Sequence, residues 1–115
     1  MIYTDRRQIT FDERVDIYKA LGNKTRLEIF EKILADGHKT LDINGEMCIT
    51  EVASMFPYSL PTISMHLTIL KRAGLIKTRK EGKKIFINVS IERSKKLLES
   101  FQNLMSLYEQ NHSVR

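Results

Sequence analysis

Residues 59–76 read Ser59-Leu60-Pro61-Thr62-Ile63-Ser64-Met65-His66-Leu67-Thr68-Ile69-Leu70-Lys71-Arg72-Ala73-Gly74-Leu75-Ile76. Ser59 can cap a helix by accepting from one of its free first amides. Pro61 falls in the first turn, where an N–H has no partner in any case. Ile63, Leu67 and Leu70 recur at i, i+4 and i+7, so they share one side of a helix that turns about 100° per residue. Gly74 ends the helix. The opposite side carries Pro61, Met65, Thr68 and Arg72, with Ser64 at one edge and Thr62 and Ile69 at the other. His66 lies nearer the apolar edge. From Ser59 to Lys80 there is no Asp or Glu. A solvated helix normally mixes both signs of charge, whereas a face free of carboxylates can approach a polyanion.

Downstream, Leu75 to Lys80 and Lys84 to Ser90 are runs rich in β-branched residues. Ile85, Ile87 and Val89 alternate with Phe86 and Asn88, and Glu81-Gly82 is the expected turn of a hairpin. The tip is basic, with Arg79, Lys80, Lys83 and Lys84. Ser90 then caps a helix expected over 91–110. Upstream, a short helix is expected over 49–56, broken by Pro57-Tyr58. A helix over 24–35 starts at Asn23 and stops at Gly37, with Leu27, Phe30, Ile33 and Leu34 as its stripe. The helix over 11–21 carries Phe11, Val15, Tyr18 and Leu21. Residues 38–47 are the least regular; Thr40 to Ile43 reads as a short strand and Asn44-Gly45 as a turn.

The bulk properties bound the function. With 115 residues, 42% of them hydrophobic, the chain suits one domain with its own core. No apolar run approaches the roughly 20 residues that cross a bilayer, and Met1 to Thr10 has no signal-peptide core. No membrane partner and a cytoplasmic location are expected. The net charge of +5 is unevenly spread, because residues 71–96 hold ten Lys and Arg against Glu81 and Glu92 alone. Such a footprint favours a polyanion through counterion release. Cys48 is the one cysteine, so an internal disulfide is impossible. It is either an inert small residue or a reactive thiol.

Two short helices joined by a turn and followed by a basic hairpin make a winged helix-turn-helix. The fold expected is mainly α with a small β-hairpin. The helix-turn-helix covers 49–74 and the wing 75–90, within a single domain, 1–115. The second helix of the pair enters the major groove of double-stranded DNA, and the hairpin flanks it on the phosphates. The expected DNA-binding residues are Ser59, Leu60, Thr62, Ser64, Met65, Thr68, Lys71 and Arg72 on the helix, and Arg79, Lys83 and Lys84 on the wing. Hydroxyls serve base edges or phosphates, Met65 a thymine methyl, and Lys71 and Arg72 phosphates. Met65 and Ile69 have the alternative of serving as core or interface residues, and His66 reads as a satisfied, partly buried imidazole.

The stretch Ser59 to Ile76, with Lys19-Ala20-Leu21-Gly22-Asn23-Lys24-Thr25-Arg26-Leu27 upstream, resembles the ArsR/SmtB-type repressors, over roughly residues 15–90. Their recognition helix reads S-Q-P-T-V-S-x-H-L-x-x-L-x-x-A-G-L-V and their upstream signature K-A-L-G-[D/N]-x-T-R-L. The resemblance implies a repressor that is homodimeric through its first and last helices. Independently, Leu97, Phe101, Leu104, Met105 and Tyr108 form an apolar stripe on the last helix. Burial against a second copy, together with Phe11, Val15 and Tyr18, is the economical solution; folding back onto the same domain is the alternative. A two-fold dimer would read an inverted-repeat operator.

Two departures from the family pattern stand out. Leu60 replaces the usual Gln after the capping Ser, which removes a base-reading amide. Glu46-Met47-Cys48-Ile49-Thr50-Glu51-Val52 aligns with the metal-sensing E-L-C-V-C-[D/E]-L, with Thr50 in place of the second thiol. A soft site usually wants two sulfurs. The family's other site, of Asp and His on the last helix, lacks its ligands before His112. Neither a metal nor a cofactor is therefore expected. Alternatives are a Cys48-based redox sensor, a metal sensor using Cys48 with His38, a nonspecific DNA binder, and a winged-helix protein-interaction module. Neither a catalytic constellation nor a phosphate loop is present, so an enzyme is not expected. The basic face lacks the aromatic platform of single-stranded RNA binders.

Overall fold

The computed structural model describes residues 7–36 and 46–112. Helix α1 spans Phe11–Leu21 and starts in a capping box. The Thr10 hydroxyl accepts from the Glu13 amide at 3.1 Å, and the Glu13 carboxylate accepts from the Thr10 amide at 2.8 Å. Helix α2 spans Lys24–Asp36, and Asn23 caps it by accepting from the Arg26 amide at 3.0 Å. A two-residue strand, β1 (Met47–Cys48), runs directly into α3 (Ile49–Ser54). Helix α4 follows (Leu60–Arg72), then β2 (Ile76–Glu81), β3 (Lys84–Val89) and α5 (Ile91–His112).

The end of α4 shows why Gly74 is there. The Leu75 amide donates to Leu70 O at 3.0 Å and the Gly74 amide to Lys71 O at 2.9 Å, the two bonds of a Schellman stop. That stop needs a left-handed residue, and Gly74 has φ +81°. A side chain at this position would also meet Arg93, since a Cβ there would lie 2.7 Å from its Nε.

The strands form a sheet in the order β1-β3-β2, antiparallel throughout. The hairpin expected from the sequence thus gains a third strand, with Met47 opposite Ile87 and Cys48 opposite Phe86. The tight turn is Gly82-Lys83 rather than Glu81-Gly82, because Glu81 pairs with Lys84; Gly82 takes φ +61°. Helix α3 stops at Ser54, two residues early, where the Met55 amide closes on Val52 O at 3.0 Å. The strand expected at 40–43, the turn at Asn44-Gly45, the Gly37 stop and His38 lie outside the described residues.

One apolar core joins every element but the last. Ile17 from α1, Ile29 from α2, Met47 from β1, Val52 from α3, Ile63 and Leu70 from α4, Ile76 from β2 and Ile87 from β3 are all essentially inaccessible. Each such side chain stabilises the fold by about 1.5–3 kcal/mol. On α2 the buried side is Ile29, Phe30 and Ile33. Leu27 and Leu34, seven residues apart and so on one flank, are exposed instead of completing the expected stripe. Helix α5 buries no residue; Leu97 alone of its apolar side chains packs against the core. No helix among the described residues is long and apolar enough to cross a membrane.

Candidate nucleic-acid interface

Helix α4 is anchored from behind and bare in front. Ile63, His66, Leu67 and Leu70 are buried, while Leu60, Pro61, Met65, Thr68, Lys71 and Arg72 are exposed and Thr62 and Ser64 half-buried. Ile69 is half-buried and packs on the core. Met65, by contrast, is 51% exposed. Three hydroxyls make local bonds. Ser59 Oγ accepts from the Thr62 amide at 3.3 Å and lies 2.9 Å from Thr62 Oγ1, and Thr68 Oγ1 donates to Ser64 O at 2.9 Å. Each hydroxyl oxygen keeps acceptor capacity toward an incoming donor. Lys71 and Arg72 have no side-chain partner among the described residues.

The rear anchor includes a polar pair that the sequence reading did not single out as functional. Arg26 reaches back from α2 to the end of α1, donating from Nε to Ala20 O at 2.6 Å and from Nη2 to Lys19 O at 3.5 Å. Its Nη1 lies 3.3 Å from His66 Nδ1, so a neutral imidazole accepts there. Burial, and then the Arg26 charge, hold the His66 pKa below 6.5 and keep it in that accepting form. The pair links the α1–α2 corner to α4. Arg26 lies within the upstream signature, which was the available signal.

The wing divides its cations into two groups. Arg79 lies opposite Phe86 in the sheet register, and its guanidinium sits 4.7 Å from that ring's centroid. It crosses the ring to reach the Glu46 carboxylate beside β1, with contacts of 2.8, 3.1 and 3.2 Å, and also bonds Glu81. These carboxylates raise the Arg79 pKa still further. Arg79 is thus occupied as a tie across the three strands. Lys80, Lys83 and Lys84 are exposed; Lys80 and Lys83 have no side-chain partner among the described residues, and the Lys84 charge acts on the Cys48 thiol.

Cys48 is half-buried at the start of α3. Its amide donates to Glu51 Oε1 at 3.1 Å, and the Thr50 hydroxyl donates to its sulfur at 3.3 Å. Hydrogen bonds from the Thr50 hydroxyl and amide lower the thiol pKa, against the opposing pull of burial. Among the described residues no three His, Cys, Asp or Glu side chains gather as a metal ion would require.

The apolar residues of α1 and α5 stand in the open. Phe11 is 69% exposed and Phe101 53%; Tyr18, Leu104, Met105 and Tyr108 are also exposed, with Val15 and Leu97 half-buried.

Comparison with known proteins fits this architecture. Residues 23–78 match the family described as bacterial regulatory proteins of the arsR family. An uncharacterized HTH-type transcriptional regulator of Methanocaldococcus jannaschii is 37% identical over 94 residues, spanning 82% of this chain and 97% of that protein. An ArsR-like transcriptional regulator from Rhodococcus shares the fold with a TM-score of 0.72 at 19% identity, covering 90% of this chain and 89% of its own. The homodimeric winged helix-turn-helix DNA-binding domain of a possible ArsR-family regulator from Mycobacterium bovis aligns with a TM-score of 0.58 at 25% identity, covering 90% of this chain and 88% of its own. With the basic wing, the core-anchored second helix and this likeness across nearly the whole of a regulator's length, the chain belongs to the ArsR family of winged helix-turn-helix transcriptional regulators.

Proposed function

We propose that the protein is a homodimeric repressor that binds an inverted-repeat operator and blocks transcription by occupying it. The observation that carries this reading is the exposed side of α4, which bears hydroxyls, Met65 and two unpaired cations, in a stretch without a single carboxylate from Ser59 to Lys80. Ser59, Leu60, Thr62, Ser64, Met65 and Thr68 face base edges and nearby phosphates, and Lys71 and Arg72 hold the backbone. On the wing, Lys83 and Lys84 contact phosphate, while Arg79 stiffens the sheet that carries them. The bare apolar faces of α1 and α5 pair with those of a second copy through Phe11, Val15, Tyr18, Leu97, Phe101, Leu104, Met105 and Tyr108. The two α4 helices then sit about one DNA turn apart, roughly 34 Å.

Fluorescence anisotropy with the DNA upstream of the protein's own gene, against scrambled duplex at several salt concentrations, tests the reading. Preferential, salt-steep binding by a dimer is expected. Equal affinity for both duplexes would leave a nonspecific DNA binder, and no binding to either a protein-interaction module. A second reading, control by oxidation at Cys48, is favoured by its free, half-buried thiol, whose sulfur accepts from the Thr50 hydroxyl at 3.3 Å, a bond that favours the thiolate. The same titration with oxidant and then reductant checks it, with a reversible loss of affinity expected and its absence in Cys48→Ser.

A further inference from the structure

A cleft of about 560 Å³ opens between the segment before α1, the end of α4, the start of β2 and the first turn of α5. Five cations line it: Arg7, Lys71, Lys77, Arg93 and Lys96. Its acids are Glu13 and Glu92. Glu13 is already engaged, accepting from the Thr10 amide and pairing with Arg7 at 3.2 Å and Arg93 at 3.1 Å. Those bonds hold its pKa down at about 2, the Thr10 amide contributing most. Glu13 therefore fixes two guanidinium groups in the cleft wall. Gly74 keeps its place open, since any side chain there would collide with Arg93. Lys71 and Lys77 also line the cleft, exposed and with no side-chain partner among the described residues. Thr78 and Ser90 add hydroxyls. None of the lining residues belongs to the apolar face assigned to the dimer.

The volume suits a small molecule rather than a macromolecular groove. Guanidinium groups held in place by a shared carboxylate, in one cleft with exposed ammonium groups, suit a compact ligand with several anionic oxygens. We infer that this cleft binds a small polyanion, a molecule bearing a diphosphate or several carboxylates. The site is separate from the Cys48 region and from the wing tip. It shares Lys71 with the DNA face, so, resting on the DNA reading above, a bound anion withdraws that lysine from phosphate and weakens operator binding.

Calorimetric titration of the full chain with pyrophosphate, and separately with citrate, tests binding without any DNA. Saturable binding of one anion per chain is expected, with the tighter probe identifying the phosphoryl or carboxylate class. Lys77→Gln should weaken it about tenfold and Lys77→Glu more, because each removes or reverses a charge on an exposed side chain. Amide NMR shifts should centre on Gly74, Thr78 and Ser90. No saturation with either probe, affinity unchanged in both variants, or shifts centred on Ser59 and Gly82 would overturn the site. For the coupling, pyrophosphate at fixed ionic strength should weaken operator binding several-fold more in the native chain than in Lys77→Gln. Equal weakening would mean simple competition at the DNA face and would overturn the coupling alone. Failure of the operator to bind at all is seen before any anion is added, so it is distinct from failure of the site.

Discussion

Helices α4 and α5 are both amphipathic, and they settle their apolar sides in opposite ways. In α4, thirteen residues long, Ile63, His66, Leu67 and Leu70 are buried, and the chain's own core accounts for its stripe. In α5, twenty-two residues long, none is buried, and from Phe101 onward every described residue is exposed. What each helix leaves outside differs accordingly: hydroxyls and cations together with Leu60 and Met65 on α4, and Phe101, Leu104, Met105 and Tyr108 on α5. The same periodicity therefore specifies two kinds of surface. One is completed within the chain and leaves a largely polar face outside, suited to the charged partner proposed above; the other stays apolar and open in the single chain, as the proposed dimer requires.

The sharpest way to break this contrast is on α5. Phe101→Glu with Leu104→Glu places charge in the face proposed to pair. Sedimentation should show a monomer, and operator affinity should fall by about 10²–10⁴ as the two half-sites cease to be read together. The isolated half-site should bind as before. A smaller effect is expected at the other surface. Lys83→Glu with Lys84→Glu should keep the dimer and lower affinity by about 10- to 100-fold, with a shallower dependence on salt. An unchanged salt slope would remove the wing from the DNA interface. The smallest effect lies behind α4, at His66. Its pKa is depressed, so the unfolded chain takes up a proton before the folded one does. Stability is full above 6.5 and is lost as the pH falls through 6.5 toward the folded value. His66→Gln, which can still accept from Arg26, should flatten the melting temperature over that range. The Glu13 contribution falls in a separate window, from 4.5 down to about 2.

Much of the architecture was legible because its signals are local. Asn23 and Ser59 act as caps on residues three positions away, Gly74 stops α4 in the turn it terminates, and helical spacing marked the buried side of α4. What stayed hidden involves partners far apart in sequence. Glu46 and Arg79 are separated by 33 positions, and Arg26 and His66 by 40. That Arg79 also ties the sheet together was hidden because nothing near it in sequence announces Glu46. Strand β1 was missed for a similar reason: two residues are too short for a period, and their pairing with Ile87 and Phe86 exists only in three dimensions. On α2, Leu27 and Leu34 were apolar at suitable spacing, yet the face that turned inward was that of Ile29, Phe30 and Ile33. Composition marks a residue as able to be buried, and the neighbours decide which residues are.

The exposed run from Phe101 to His112 also bears on how the protein survives dilution. A helix of about three turns with so little of its surface buried is marginal in water. In the proposed dimer its order is supplied by the other copy, so folding of this segment is second order in protein. The melting temperature then rises with concentration. In a cell holding few copies, the separated chain would carry a fraying, protease-accessible tail, and its lifetime would depend on how many copies are present.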